Sequence, residues 1–208
     1  MDFRCTTEQY DTLYSRWLEN PKDIFAGIEV AGKRVLDLCG GTGVVSRTAL
    51  ELGASNVTLL DVYPRCRIPG VKLILGRAES AMTWCYPEVY DLVVCRQALG
   101  YLDLPRVAWN VRNLLAEDGR FVFNNFRSPR WRHFSYEHRG RSYTETSGYV
   151  GKTVFHRQHC EGVGTDWSVF RWWKFNEIIN ILSPHFTVGW ERGTRSYRFI
   201  AQAKAGSL

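Results

Sequence analysis

Asp37-Leu38-Cys39-Gly40-Gly41-Thr42-Gly43 is the stretch of this 208-residue chain whose residue types and spacing most clearly ask for a ligand. Gly41 and Gly43 permit backbone angles or a close approach that a Cβ would obstruct. An apolar run, Arg34 to Leu38, leads straight into the glycines, and a helical pattern begins at Val44. The unpaired amides at that helix start can receive an anionic or electron-rich group. Asp61 closes the next apolar run, where a carboxylate accepts both hydrogen bonds of a ribose diol. Asp37 lies before the glycines inside an apolar strand, placed to orient loop amides or to meet a ligand ammonium.

Two phosphate-binding patterns do not fit. A P-loop needs a lysine after its last glycine, but Gly43 is followed by Val44 and Val45. A dinucleotide fingerprint needs a third glycine, and Ser46 stands there.

Other chemistry-bearing residues gather after residue 126. Arg127, Arg130, Trp131, Arg132, His133, Tyr136, His138, Arg139, Arg141 and Tyr143 form a basic and aromatic cluster. It reads either as a clamp for a carboxylate or phosphate or as a solvated basic face. All 5 histidines lie beyond residue 130, so any histidine base must come from His133, His138, His156, His159 or His185. On a strand over 154–160, His156 and Gln158 face one way and Phe155, Arg157 and His159 the other, which splits any metal set built on both histidines. No metal site is therefore expected. Trp167, Trp172 and Trp173 either wall an apolar pocket or glue that region to a sheet.

The elements that must position these residues are legible in outline. Spacing of three and four predicts a helix over Thr7–Glu19, carrying Tyr10, Leu13, Tyr14, Trp17 and Leu18, and a short helix over Asp23–Ala31. Strands are expected at Arg34–Leu38, Asn56–Asp61, Val71–Leu75, Tyr90–Cys95 and Arg120–Phe126. Helices over Val44–Leu52 and Leu104–Ala116 separate some of them, the latter stopped by Glu117-Asp118-Gly119. The link from Asp61 to Val71 is short for a helix. Alternation of this kind indicates a parallel sheet covered on both faces. The rhythm breaks over 127–173, where strands at Val150–Cys160 and Asp166–Trp172 predict an antiparallel insertion. A helix over Phe175–Leu182 and a terminal strand pair, Phe186–Trp190 and Ser196–Ala201, complete the pattern.

A hydrophobic fraction of 45% with 23% charged residues is ordinary for a globular protein of one domain. Six cysteines with no C-x-x-C pair speak against a zinc ribbon or a disulfide scaffold. No apolar run approaches the roughly 18–20 residues of a membrane span, and the N-terminus lacks a signal-peptide pattern, so a cytoplasmic protein without a membrane partner is expected. The net charge of +6 permits an anionic substrate or RNA.

Val35-Leu36-Asp37-Leu38-Cys39-Gly40-Gly41-Thr42-Gly43 closely resembles motif I of the class I S-adenosylmethionine-dependent methyltransferases. The resemblance spans roughly residues 10–126 and 175–201 and is closest in style to small-molecule members. It implies a three-layer α/β Rossmann-like fold, with a seven-stranded mostly parallel sheet and an antiparallel insertion after strand five. It implies S-adenosyl-L-methionine bound by Asp37, Cys39, Gly41, Gly43, Asp61, Ala78, Glu79, Cys95 and Arg96, with Tyr10 from a lid helix. Tyr14, His133 and His138 are the expected catalytic set. Cys39 departs from a glycine common in the family, and Arg77 from an acidic residue that reads the adenine amine, so Ala78 or Glu79 must serve. The expected arrangement is one methyltransferase domain over 1–208, with cap helices in 1–31 and a substrate-side insertion at 127–173, as a monomer or homodimer. The expected reaction is direct in-line methyl transfer to a small molecule, anionic or aromatic. The other readings are a tRNA or rRNA methyltransferase, a protein methyltransferase and a noncatalytic cofactor-binding protein.

Overall fold

The computed structural model describes residues 6–14, 21–64, 67–126, 132–193 and 196–204. Contacts divide the chain into two compact units: residues 21–127 with 173–208, and residues 1–20 with 128–172.

The larger unit is built on β1 (Arg34–Leu38), β2 (Asn56–Asp61), β3 (Val71–Leu75), β4 (Tyr90–Cys95), β5 (Leu115–Phe126), β10 (Phe186–Arg192) and β11 (Ser196–Ala203). Their order is β10-β11-β5-β4-β1-β2-β3. The pairs among β1 to β5 are parallel, whereas β11 runs antiparallel to both β5 and β10. The seven-stranded, mostly parallel α/β sheet expected from the sequence is therefore present.

Its central strands are apolar throughout because both faces are covered. Alternate residues supply two cores. Val35, Val57, Leu92, Val94 and Val122 meet Phe25, Val30 and Val45 on one side. Leu36, Leu38, Val93, Phe121 and Phe123 meet Val107, Val111, Ile178 and Leu182 on the other. The covering helices are α2 (Val44–Glu51), α3 (Ala81–Cys85), α4 (Leu104–Leu114) and α5 (Phe175–Leu182). The Arg198 guanidinium ties the opening turn to the sheet, donating to the carbonyls of Asp23, Ile24 and Ala26 while pairing with Glu191.

Several boundaries differ from the sequence expectation. The expected helix over Asp23–Ala31 is a 3-10 turn, Pro21–Phe25, long enough only to bury Ile24 and Phe25. Helix α4 ends at Leu114 and β5 begins at once, so Glu117-Asp118-Gly119 interrupts a strand rather than ending a helix. Tyr90 pairs with Leu115, and the register shifts before Leu92 meets Arg120. A Cβ on Gly119 would lie 2.9 Å from the Ala116 carbonyl oxygen, so the irregularity needs a glycine. The short helix α3 has no counterpart in the expectation.

The smaller unit is a four-stranded antiparallel sheet, β6 (Arg132–His138), β7 (Arg141–Val150), β8 (Thr153–Cys160) and β9 (Gly164–Arg171), in that order. With it goes α1 (Thr7–Leu13), opened by a capping box in which Thr6 and Gln9 exchange hydrogen bonds. Trp17 and Leu18 lie outside the described residues, as do Arg127, Arg130 and Trp131. Strand β6 and all of β7 except Val150 were not expected, and the strand expected at Val150–Cys160 is β8 with the turn before it. Strands β6 and β7 meet at Arg139-Gly140, both at positive φ, the two-residue turn whose twist matches paired strands. Tyr143 and Cys160 pack with Leu13, and the Tyr143 hydroxyl donates to the Thr12 carbonyl at 3.0 Å.

Phe199 is fully buried in the larger unit, stacked on Phe123 with ring centroids 4.9 Å apart. Phe199→Ala is expected to cost about 3–5 kcal/mol in urea unfolding. A loss below about 1 kcal/mol would contradict this packing.

Candidate functional site

Asp37 organises the glycine loop from beneath. It is 1% exposed at the carboxyl end of β1, and its Oδ2 accepts from the Ser46 amide at 3.0 Å and the Ser46 hydroxyl at 2.7 Å. Ser46 lies in the first turn of α2, so one carboxylate fixes where strand and helix meet. Burial pushes the Asp37 pKa up to about 7, against the lowering effect of the Ser46 hydrogen bonds. The serine that replaces a dinucleotide fingerprint's third glycine is therefore the partner of Asp37. Gly40 is the tightest point of the loop. A Cβ there would lie 2.5 Å from Leu59 Cγ and 2.7 Å from Asp37 Oδ2.

The loop turns through three left-handed residues: Cys39 at φ 62°, Gly41 at φ 50° and Gly43 at φ 74°. A side chain at Cys39 is thus carried in a conformation that favours glycine. Its amide donates to the Leu60 carbonyl at 2.7 Å, which pins the turn to β2. The neighbouring Cys95 thiol, and then burial, hold the Cys39 thiol well above its usual range, so it stays neutral. Gly43 is the N-cap of α2 with no side-chain capping bond.

Asp61 braces the loop from above β2. Its Oδ2 accepts from the Gly41 amide at 3.0 Å and its Oδ1 from the Tyr63 amide at 2.6 Å. Each carboxylate oxygen has two acceptor sites. One per oxygen therefore remains, which suits the paired hydroxyls of a ribose. Beyond β3, the Gly76 amide donates to the Asp61 carbonyl at 3.0 Å. The Trp84 indole lies so close that a Cβ on Gly76 would sit 2.6 Å from it, which places an aromatic surface at this strand exit.

Ala78 is buried there. Glu79 Oε1 accepts from the Asp103 amide at 3.2 Å, and Oε2 lies 3.6 Å from the Arg77 guanidinium, so this carboxylate ties the strand-three exit to the start of α4. The Arg77 side chain is 73% exposed. At the exit of β4, burial lowers the Arg96 pKa while Asp23 and Asp37 counter it. Gln97 follows at φ 59°, its amide held by Asn124 Oδ1 at 2.6 Å. Trp173 is buried as glue, its indole donating to the Leu99 carbonyl at 3.1 Å.

Asp37, Cys39, Gly41, Gly43, Asp61, Ala78, Glu79, Cys95 and Arg96 thus meet at the carboxyl ends of β1 to β4, where open α/β sheets hold ligands. Sequence reasoning missed Gly40, Ser46, Trp84 and Asn124. Ser46 carried a signal, its one-turn offset from the glycines; Trp84 and Asn124 carried none.

Tyr10, Tyr14, His133 and His138 belong to the smaller unit. The Tyr10 and Tyr14 rings lie 4.5 Å apart on one face of α1, and the Tyr14 hydroxyl donates to Asp166 at 2.5 Å. His133 and His138 stand on opposite faces of β6, five residues apart in a strand of period two. His133 is exposed, with Nδ1 2.9 Å from the Thr146 hydroxyl, whereas His138 lies edge-on to Tyr143. Among the described residues no three His, Cys, Asp or Glu side chains are grouped to hold a metal.

Folded Asp37 keeps its proton to about pH 7, whereas the unfolded chain releases it near about 4. The folded state binds the extra proton in that window, so wild-type stability falls as pH rises through it. Asp37→Asn is expected to flatten that slope in thermal melts between about pH 4 and about pH 7. A variant with the same slope as wild type would contradict it. Gly40→Ala is expected to lose about 1–3 kcal/mol of stability through overpacking against Leu59 and Asp37. An unchanged urea midpoint would contradict that crowding.

A family described as a methyltransferase domain matches residues 8–186. No curated protein sequence matches the chain. Among solved structures, Streptomyces venezuelae DesVI superposes with a TM-score of 0.77 at 16% identity, covering 95% of this chain and 98% of that one. CalS10, an amino pentose methyltransferase from Micromonospora echinaspora, gives 0.68 at 16% identity, covering 94% and 92%. The sugar N-methyltransferase KedS8 from a Streptoalloteichus species gives 0.66 at 17% identity, with the same coverage. At these identities the structural likeness establishes the fold. The family match covers most of the chain, which therefore belongs to the methyltransferase domain family and carries the class I S-adenosylmethionine-dependent methyltransferase fold.

Proposed function

We propose that the protein transfers a methyl group from S-adenosyl-L-methionine to a small-molecule acceptor by direct in-line displacement. The observation that carries this reading is the double brace of the loop, Asp37 on Ser46 and Asp61 on Gly41. It fixes the α2 start and the ribose-type acceptor pair through protein contacts alone. The cofactor supplies an activated methyl group on a sulfonium. Left to the protein are alignment of the acceptor and, where the acceptor carries a proton, its removal. Solved structures of the same fold include enzymes named for acting on an amino pentose and on a sugar, which supports an acceptor of that size.

The segment 127–173 is the natural source of acceptor contacts in this reading, with the residues of 1–31 as a cap. No helix among the described residues is long and apolar enough to cross a membrane. We place the protein in the cytoplasm, as a monomer or homodimer.

Asp61→Ala is expected to weaken S-adenosylhomocysteine binding at least about tenfold in calorimetry, about 1.4 kcal/mol. Unchanged affinity would overturn the site assignment. Total tRNA is expected to take no label from methyl-labelled cofactor; salt-sensitive labelling would favour the RNA reading.

A further inference from the structure

The sheet of the larger unit ends on β3, which pairs with β2 alone among the described strands. The Gly76 amide bonds back to the Asp61 carbonyl, and successive peptide groups of a strand alternate between its two sides. The amides and carbonyls of Leu73 and Leu75 therefore point outward, away from β2. Such an edge is a template for another strand unless a free charge, a proline, a bulge or a covering element blunts it. β3 has no proline, and its one charge, Lys72, is paired with Glu88. The link from Asp61 to Val71 adds no helix among the described residues, so Leu73 and Leu75 stay 40% and 66% exposed.

Large apolar side chains flank this edge on both faces of the sheet. Val71, Leu73 and Leu75 alternate onto one face, where Val71 packs beside Val57. On the other, the Trp84 indole lies against Gly76 and Glu88 reaches Lys72, so the segment 84–88 runs along β3. Trp84 and Tyr86 of that segment are 48% and 68% exposed. Tyr63, two residues past the Asp61 that pairs with Leu75, is 58% exposed. At roughly 200 Å² for a whole large side chain, these five expose on the order of 550 Å² per copy. Two such patches together clear the roughly 1,000 Å² expected of a specific interface.

We propose that β3 is the contact of a two-fold dimer, in which the β3 strands of two copies pair antiparallel and join their seven-stranded sheets into one. The occupant is a second copy because the strand matches itself. A two-fold axis through Leu73 sets Leu73 against Leu73, Leu75 against Val71 and Lys72 against Ile74 of the second copy. The outward amide and carbonyl of Leu73 then exchange both bonds with their equivalents, and the apolar face of one strand continues into that of the other. Lys72 never opposes Lys72, so the register sets no like charges face to face. The chain's net charge of +6 opposes association in general, but beside β3 it is offset locally, Lys72 by Glu88 and Arg77 by Glu79. The same patch on both subunits is what a two-fold contact requires. This dimer stands apart from the methyl-transfer reading and does not depend on it.

The test is sedimentation velocity on the full chain. Wild type should sediment as a dimer at micromolar concentration. Leu73→Lys and Leu73→Glu should each sediment as monomers, because each sets two like charges opposite one another across the axis. Mixing the two variants should restore the dimer, since lysine then opposes glutamate; only a contact centred on residue 73 behaves this way. Near-native far-ultraviolet circular dichroism and a cooperative melt check that each variant is folded. Hydrogen exchange on the wild type needs no substitution: the Leu73 and Leu75 amides should slow as protein concentration rises. A monomeric wild type, a dimer that persists in both single variants, or a mixture that stays monomeric overturns the proposal. So does slow exchange at Leu73 and Leu75 at every dilution of a monomer, which would show the edge covered by the chain's own residues. S-adenosylhomocysteine binding is measured separately, so loss of the dimer leaves the methyl-transfer reading standing.

Discussion

A single buried carboxylate decides the shape of the loop on which the rest depends. Asp37 ends β1 inside an apolar core and accepts both hydrogen bonds that Ser46 offers from the first turn of α2. Strand and helix are thereby joined at a fixed separation. The backbone between them must then turn through left-handed angles at Cys39, Gly41 and Gly43. The cost of burying Asp37 appears in its raised pKa. Such strain and desolvation persist only where surrounding structure holds them, and they concentrate at ligand sites.

The second brace works in the opposite direction. Asp61 reaches from β2 to the Gly41 amide, so the loop is held from both sides of the turn. Parallel pairing of β1 with β2 and β4 then fixes the remaining candidates. Cys95 comes beside Cys39, and the exit of β3 is tied to Asp61 through the Gly76 amide. The site is thus a product of sheet order, with each strand delivering residues to one edge.

Much of this was legible in residue order. The five parallel strands are short apolar runs ended by polar or glycine signals, and four of them fall where periodicity puts them. The fifth starts earlier because Glu117-Asp118-Gly119 has the composition of a turn yet forms an irregular strand segment. The hairpin at Arg139-Gly140 was legible in the period-two alternation of β6, and it was missed because residues Arg132 to Tyr143 were read by type, as a basic and aromatic cluster, rather than by period. Gly40 was passed over because crowding by Leu59 is tertiary and leaves no mark on the chain. His133 and His138 were grouped by residue type, but a five-residue offset on a strand puts them on opposite faces. Which side chains share a face across β7, β8 and β9 depends on the register of three strands, and only the structure supplies that register.

Protein contacts alone, Asp61 on Gly41 and Asp37 on Ser46, hold the loop. Amide hydrogen exchange at Gly41 and Ser46, with and without S-adenosylhomocysteine, tests this most directly. Both amides should exchange slowly in the free protein, because Asp61 and Asp37 already hold them, while Val44 and Val45 should slow only when the ligand is added. Fast exchange at Gly41 and Ser46 in the free protein, with protection appearing only on binding, would contradict the account.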